Sequence, residues 1–244
     1  MNIELTNKEK QFNSGIQAEV YSADCYRLKQ HQFARTSPII VDLGANFGWF
    51  SRLAAETCPS AKIYAYEMIE RNYMIAKHHT TSDLSNIWLH NAVAIGNHRA
   101  DIIRRDSKSN LGGNKVIVKD SKFYLNNNID PATDKFSQSD SGDILQLNLG
   151  DILEDNSIDY IDFLKIDIEG SEYDVLEYVF ENNLSDRIAH AALEVHGMWD
   201  HDENGARIPG ESQQYQWLKD QCEKHFDNAV FSGHYAWLSN KREK

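Results

Sequence analysis

The chain has 244 residues, 41% of them hydrophobic, and a formal net charge of -12 at pH 7. This size predicts one core domain, and the negative charge disfavours nucleic acid and anionic membrane surfaces as partners. No apolar run reaches the roughly 18 residues of a membrane span, so we expect no membrane insertion. The three cysteines are far apart in the sequence, which favours reduced thiols in a cytoplasmic protein over disulfides.

The first hundred residues alternate strand and helix patterns. A β-branched run from Ile39 ends in a glycine-bearing turn at Gly48. The pattern predicts helices at 50–56 and 71–79 and strands at 61–67 and 87–93. Strands that alternate with helices at this spacing predict an α/β fold, in which a doubly wound, mostly parallel sheet carries helices on both faces.

The rest of the chain breaks this rhythm and then resumes it. Residues 97–150 are rich in polar side chains and predict an irregular insertion of hairpin character, with extended pieces at 114–119 and 144–149. Further predicted elements are a buried strand at 160–168, a helix at 171–181, a strand at 189–196, a polar loop at 198–211, a helix at 212–225 and a strand pair at 229–232 and 235–239. We expect an N-terminal extension over 1–38 and a single domain over 39–244.

Polar residues fall where the first two strands end. In a doubly wound sheet, ligands bind outside the carboxyl ends of the strands. The turn from Asp42 to Gly48 contains Gly44 but has Asn46 where the dinucleotide motif needs a second glycine, which disfavours NAD. Glu67 closes the second strand, where a carboxylate can accept both ribose hydroxyls of a nucleoside cofactor.

Three blocks of the chain resemble the FkbM family of class I methyltransferases. The resemblance covers about residues 39–196. The blocks are VDLGANFGWFS from Val41, DFLKIDIEGSEYDVLE from Asp162 and LEVH from Leu193 to His196. The resemblance implies a Rossmann-like class I sheet with an antiparallel C-terminal strand, and S-adenosylmethionine as cofactor.

The resemblance also implies the cofactor contacts. The glycine turn would cradle the amino acid part of the cofactor, Glu67 its ribose and Asn91 with Ala92 its adenine. Met68 departs from the proline that similar sequences carry after the acidic residue. The predicted cofactor-binding residues are Asp42, Gly44, Ala45, Asn46, Phe47, Gly48, Glu67, Met68, Asn91, Ala92 and Asp167.

Methyl transfer to a hydroxyl requires a base close to the methyl group. His196 is the first choice, because an imidazole pKa lies near neutral and a neighbouring carboxylate can orient the ring. Asp167 would position the substrate or cofactor with support from Glu194. Lys165 fits a catalytic role and a buried ion pair equally well. Glu169 is equally open, because a carboxylate at a helix start is favourable for local reasons.

Several alternatives remain open at this point. Asp167, Glu194 and His196, with the loop residues 200–202, could instead hold a divalent metal ion. The fold would also suit an NAD-dependent oxidoreductase or epimerase, a nucleic acid methyltransferase or a catalytically silent cofactor- or glycan-binding module. The family resemblance favours O-methylation of a sugar, glycan or secondary metabolite.

Overall fold

The computed structural model describes residues 3–81, 83–96, 102–105, 115–118, 145–202 and 206–241, and for 81, 102–105 and 115–118 it describes the backbone alone. Most of the predicted insertion at 97–150 therefore lies outside the described residues. None of the helices in the described ranges combines the length and hydrophobicity of a membrane span.

The predicted order of strands and helices is confirmed in most of the chain. Helix ends differ from the predictions by one or two residues. The strands are β1 Ile39–Leu43, β2 Lys62–Tyr66, β3 Ile87–His90, β4 Ala92–Ala94, β5 Ile102–Arg105, β6 Lys115–Val118, β7 Leu145–Leu147, β8 Phe163–Ile166, β9 His190–Glu194, β10 Asn228–Ser232 and β11 Tyr235–Ser239. The helices are α1 Asn7–Gln17, α2 Trp49–Thr57, α3 Glu70–Thr81, α4 Leu149–Asp155, α5 Glu172–Glu181 and α6 Gln213–His225.

The main sheet is doubly wound, as predicted. In the described part of the chain its seven strands run in the order β10-β11-β9-β8-β1-β2-β3. All neighbours are parallel except β11, which is antiparallel to β9 and β10. The chain moves outward from β1 in one direction and from β8 in the other, so the switch point, where such sheets bind ligands, lies between β1 and β8.

Two local predictions are wrong. The strand expected at 87–93 is interrupted at Asn91, whose side-chain amide donates to the carbonyl oxygens of Glu67 and Met68. Beyond this break β4 leaves the main sheet and pairs with β7. The helix α4 was not predicted, although Asn148 and Asp151 form a capping box that marks its start.

The N-terminal segment packs against the sheet in the structure. Thr6 and Glu9 cap α1, and Glu9 forms an ion pair with Arg71 of α3 at 2.8 Å. Tyr26 and Leu28 are buried with residues of α2 in a hydrophobic cluster on one face of the sheet. The other face packs against α4, α5 and α6. The expected division into an extension and a domain stays a prediction, but residues of the extension form part of the core.

Candidate active site

The turn after β1 lies tightly against the end of β8. Gly44 has a φ of 85°, and a Cβ atom there would lie 1.8 Å from the carbonyl oxygen of Asp167. A side chain is therefore excluded both by the backbone conformation and by the contact. The amide groups of Gly44 and Ala45 donate to the carbonyl oxygen of Tyr66, which ties the turn to the end of β2.

Glu67 lies where the turn and the end of β2 meet. Its side chain is buried, with Oε2 accepting from the Asn46 amide at 2.7 Å and Oε1 from the Ile69 amide at 2.8 Å. Burial raises the pKa of Glu67 to about 7, and the two backbone hydrogen bonds oppose that shift. Each carboxylate oxygen keeps a second lone pair, so Glu67 can also accept hydroxyl hydrogens from a ligand.

A cavity of about 570 Å³, which includes space open to solvent, lies at this edge of the sheet. It runs from the glycine turn to the loop after β8. Six predicted cofactor residues line it, namely Gly44, Asn46, Glu67, Met68, Ala92 and Asp167. Glu169, whose role the sequence left open, also lines the cavity, and the lining residues that sequence reasoning missed include Ile69, Asn72, Ile168 and Ser171.

The other predicted cofactor residues lie behind the cavity wall. Phe47 is buried against the ring of Phe12, with the ring centroids 5.4 Å apart. Gly48 is the N-cap of α2, and Asn91 supports the backbone after Glu67. Asp42 is fully buried. Ala45, the fifth, is buried in the turn. The geometry therefore gives these five residues supporting contacts with the site rather than contacts with the cavity.

Lys165 joins two carboxylates beneath the turn. Its Nζ lies 3.2 Å from Oδ1 of Asp42 and 3.6 Å from Oδ2 of Asp167, and it donates to the carbonyl oxygen of Gly44 at 2.5 Å. Burial alone would lower the pKa of Lys165, but the two carboxylates outweigh burial and raise it. Tyr26 donates to the same Asp167 oxygen at 2.9 Å. This network anchors Asp167. Of the two interpretations left open for Lys165, a catalytic role and a buried ion pair, its position favours the ion pair.

His196 lies among carboxylates, of which Asp167 and Glu169 line the cavity. Its Nδ1 is 2.9 Å from Oε1 of the fully buried Glu172, and its Nε2 is 3.5 Å from Oε2 of Glu169. Burial alone would lower the pKa of His196, but Glu172, Glu169 and Asp167 outweigh it and raise the pKa to about 10. The near-neutral pKa expected from the sequence is therefore wrong. A pKa of about 10 keeps the imidazole protonated at neutral pH.

The residues proposed as metal ligands are only partly brought together. Ligand atoms of Asp167, Glu169 and His196 all lie within 4.8 Å of one another, the one such group within the described residues. Glu194 is outside this group, although its charge interacts with Asp167 and His196. Burial, followed by Asp167, raises the pKa of Glu194 to about 8. The loop residues 200–202 are also outside the group.

The sheet order, the cavity at its switch point and the acidic residue that ends β2 define a class I S-adenosylmethionine-dependent methyltransferase. The chain belongs to the family described as Methyltransferase FkbM domain, whose sequence model matches residues 42–227. The expected family and fold class are thus confirmed.

Known proteins similar to the chain include one curated relative. Methyltransferase sdnD of Sordaria araneosa is 29% identical over 196 residues, which make up 73% of this chain and 72% of the relative. Similar solved structures include a SAM-dependent methyltransferase from Aquifex aeolicus, with 12% identity, a TM-score of 0.46 and coverage of 96% of this chain and 97% of that one. Another is the fibrillarin pre-rRNA processing protein of Methanococcus jannaschii, with 11% identity, a TM-score of 0.47 and coverage of 92% and 77%.

Proposed function

We propose that the protein transfers the methyl group of S-adenosylmethionine to a hydroxyl oxygen of a sugar, glycan or secondary metabolite. The observation that carries this proposal is the group of carboxylates around His196, two of which, Asp167 and Glu169, line the cavity. A hydroxyl is a weak nucleophile until its proton leaves, so an acceptor of this kind needs such groups beside the methyl.

The cavity would hold the cofactor along its length. The backbone of the Gly44 turn faces the amino acid part, and Glu67 accepts the ribose hydroxyls. Adenine lies beside Met68 and Ala92, which line the cavity next to Glu67. The sulfonium then faces Asp167, and attraction between the positive sulfur and this carboxylate orients the methyl toward the acceptor.

The transfer is an in-line displacement. The bond between the acceptor oxygen and the methyl carbon forms while the carbon–sulfur bond breaks, and its electron pair leaves on a neutral thioether sulfur. The hydroxyl proton passes to the carboxylate of Glu194, whose pKa burial and Asp167 raise to about 8. Asp167, held by Lys165 and Tyr26, positions the reacting groups.

The acidic chain and the absence of an aromatic and basic stripe in the sequence support a small acceptor over a nucleic acid. In this interpretation the acceptor enters the cavity beside Glu169, because Glu169 lines the end of the cavity that lies away from Glu67.

Binding calorimetry tests the cofactor part of the proposal. S-adenosylmethionine and S-adenosylhomocysteine are titrated into the wild type, Glu67→Gln and the control Glu211→Gln, with NAD as a control ligand. Glu211 is exposed and pairs with Lys219 outside the cavity. We expect both sulfur ligands to bind, at least tenfold loss in Glu67→Gln and no change in the control. Binding of NAD alone would contradict the proposal.

The acceptor part needs a transfer assay. Radiolabelled S-adenosylmethionine is incubated with the protein and with panels of sugars, glycans, hydroxylated metabolites and RNA. Label that enters a methyl ether of a small acceptor, and is lost in Glu194→Gln, supports the proposal. Label that enters RNA, or a nitrogen or carbon atom, would contradict it.

A further inference from the structure

We propose that Asp167, Glu169 and His196 form a binding site for a divalent cation of the Mg²⁺ or Mn²⁺ type, to which the acceptor hydroxyl also binds. The role in the reaction rests on the function proposed above, whereas the cation site does not. One ligand atom from each of these residues lies within 4.8 Å of the other two. Two carboxylates and one imidazole are a ligand set that such cations accept.

The imidazole is oriented for this role by a second residue. Glu172 is fully buried, and its Oε1 accepts from the Ile168 amide at 3.0 Å and lies 2.9 Å from Nδ1 of His196. This contact turns Nε2 toward Glu169. Histidine ligands of metal ions characteristically have their other ring nitrogen bound to a carboxylate in this manner.

The charge of the cluster supports a cation independently of its geometry. Three carboxylates, those of Asp167, Glu169 and Glu172, surround one imidazole, so negative charge is in excess whether or not the ring is protonated. Lys165 does not supply the missing charge, because Asp42 pairs with it more closely than Asp167 does. In addition, Oε2 of Glu172 is buried without a hydrogen-bond partner in the described part of the chain.

The dimensions of the cluster fit after side-chain movement. Adjacent ligands of Mg²⁺ lie about 3.0 Å apart and opposed ligands about 4.2 Å, because each bond is about 2.1 Å long. Nε2 of His196 and Oε2 of Glu169, which are 3.5 Å apart, must approach by about 0.5 Å, and a pair at the widest spacing of 4.8 Å by at most about 1.8 Å. The side chains of Glu169 and His196 are 22% and 20% exposed, so water and an acceptor oxygen can complete the coordination.

A cation at this position changes how the acceptor is activated. It would lower the pKa of a bound hydroxyl, as metal ions do for bound water. Because the cation occupies Nε2 of His196, the proton then passes to the carboxylate of Glu194. The acceptor oxygen forms its bond to the methyl carbon, and the carbon–sulfur electron pair stays on sulfur. Charge and atoms balance without any further reactant.

Manganese binding tests the site without an acceptor or a cofactor. Mn²⁺ is titrated into the wild type, Glu169→Gln, His196→Gln and Asp200→Asn, and free Mn²⁺ is followed by electron paramagnetic resonance. We expect one site per chain, at least tenfold weaker in both cluster variants and unchanged in Asp200→Asn. Asp200 is the matched control, because it lies in the next loop but outside the cluster.

A pulsed resonance measurement adds a signature of the ligand itself. In the wild type, bound Mn²⁺ should show coupling to an imidazole nitrogen. This coupling should persist in Glu169→Gln at high Mn²⁺ concentration and should be lost in His196→Gln. Should His196→Gln fail to fold, the wild-type nitrogen signal and Glu169→Gln still decide the matter. Absence of Mn²⁺ binding at millimolar concentration, or equal binding by Glu169→Gln, would overturn the site.

The cation site and the methyl transfer can fail separately. If Mn²⁺ binds in the pattern above but S-adenosylhomocysteine does not bind, the cation site is supported and the proposed function is contradicted. Binding of S-adenosylhomocysteine without any Mn²⁺ site would contradict only the inference made here.

Discussion

Substitution of Gly44 by alanine tests the packing of the glycine turn against β8. An alanine with a positive φ costs about 1–2 kcal/mol. The added Cβ would also meet the backbone of Asp167 at 1.8 Å, and such overpacking costs a further 1–3 kcal/mol or so. We therefore expect Gly44→Ala to lower the free energy of unfolding by about 2–5 kcal/mol.

Gly233 provides the matched control. Its φ is also positive, at 58°, but a Cβ atom there would have no neighbour within 4 Å. Gly233→Ala should therefore lower the free energy of unfolding only by the cost of the backbone conformation, about 1–2 kcal/mol. Urea unfolding measures both losses. Gly44→Ala should in addition weaken S-adenosylhomocysteine binding at least tenfold, whereas Gly233→Ala should not. Equal losses of stability in the two variants would refute the contact that we describe.

Three further predictions concern buried polar groups. Lys165→Met should lower the free energy of unfolding by about 3–5 kcal/mol, because it leaves the fully buried carboxylate of Asp42 without its cation; urea unfolding should show partial recovery when Asp42→Asn is added. Because the pKa of Glu67 is about 7 and the proposed function requires its ionised form to accept the ribose hydroxyls, S-adenosylhomocysteine affinity should fall about tenfold per pH unit below 7 and level off above it. Calorimetry at several pH values checks this, and Glu67→Gln should lack the slope. Tyr26→Phe removes a hydrogen bond to Asp167 and should lower the free energy of unfolding by about 1.5–3 kcal/mol; no measurable loss would contradict that bond.

The sequence predicted those parts of the fold and site that depend on local pattern. The β1 turn and Glu67 follow apolar strands directly, so the residues that end those strands could be placed at one edge of a parallel sheet. The antiparallel last strand came from the family resemblance together with the strand pair at the end of the chain. The position of the β1 turn and Glu67 at one cavity followed from the general topology of doubly wound sheets.

Contacts between distant segments were beyond sequence reasoning. Tyr26 donates a hydrogen bond to Asp167, which lies 141 positions away in the sequence, and no sequence pattern near Tyr26 predicts this partner. Glu172 lies in the first turn of α5, where a carboxylate is favourable for local reasons alone, and the structure places it against the ring of His196. The pKa of His196 depends on three carboxylates from another segment, so it could not be inferred from the imidazole alone.

The break at Asn91 has a similar explanation. The run from 87 to 93 has the composition of one strand, and periodicity cannot show where a strand leaves its sheet. The side-chain amide of Asn91 binds the backbone oxygens of Glu67 and Met68, and this bond accompanies the change of partner from β2 to β7. By contrast, the capping box at Asn148 and Asp151 was visible in the sequence and could have predicted α4.

A crystal structure of the protein with S-adenosylhomocysteine tests the central claim most directly. We predict that both ribose hydroxyl oxygens lie within about 3 Å of the Glu67 carboxylate, with the homocysteine part over the Gly44 turn and the sulfur facing Asp167. A ligand bound outside this cavity, or one whose ribose does not reach Glu67, would contradict the account of the site.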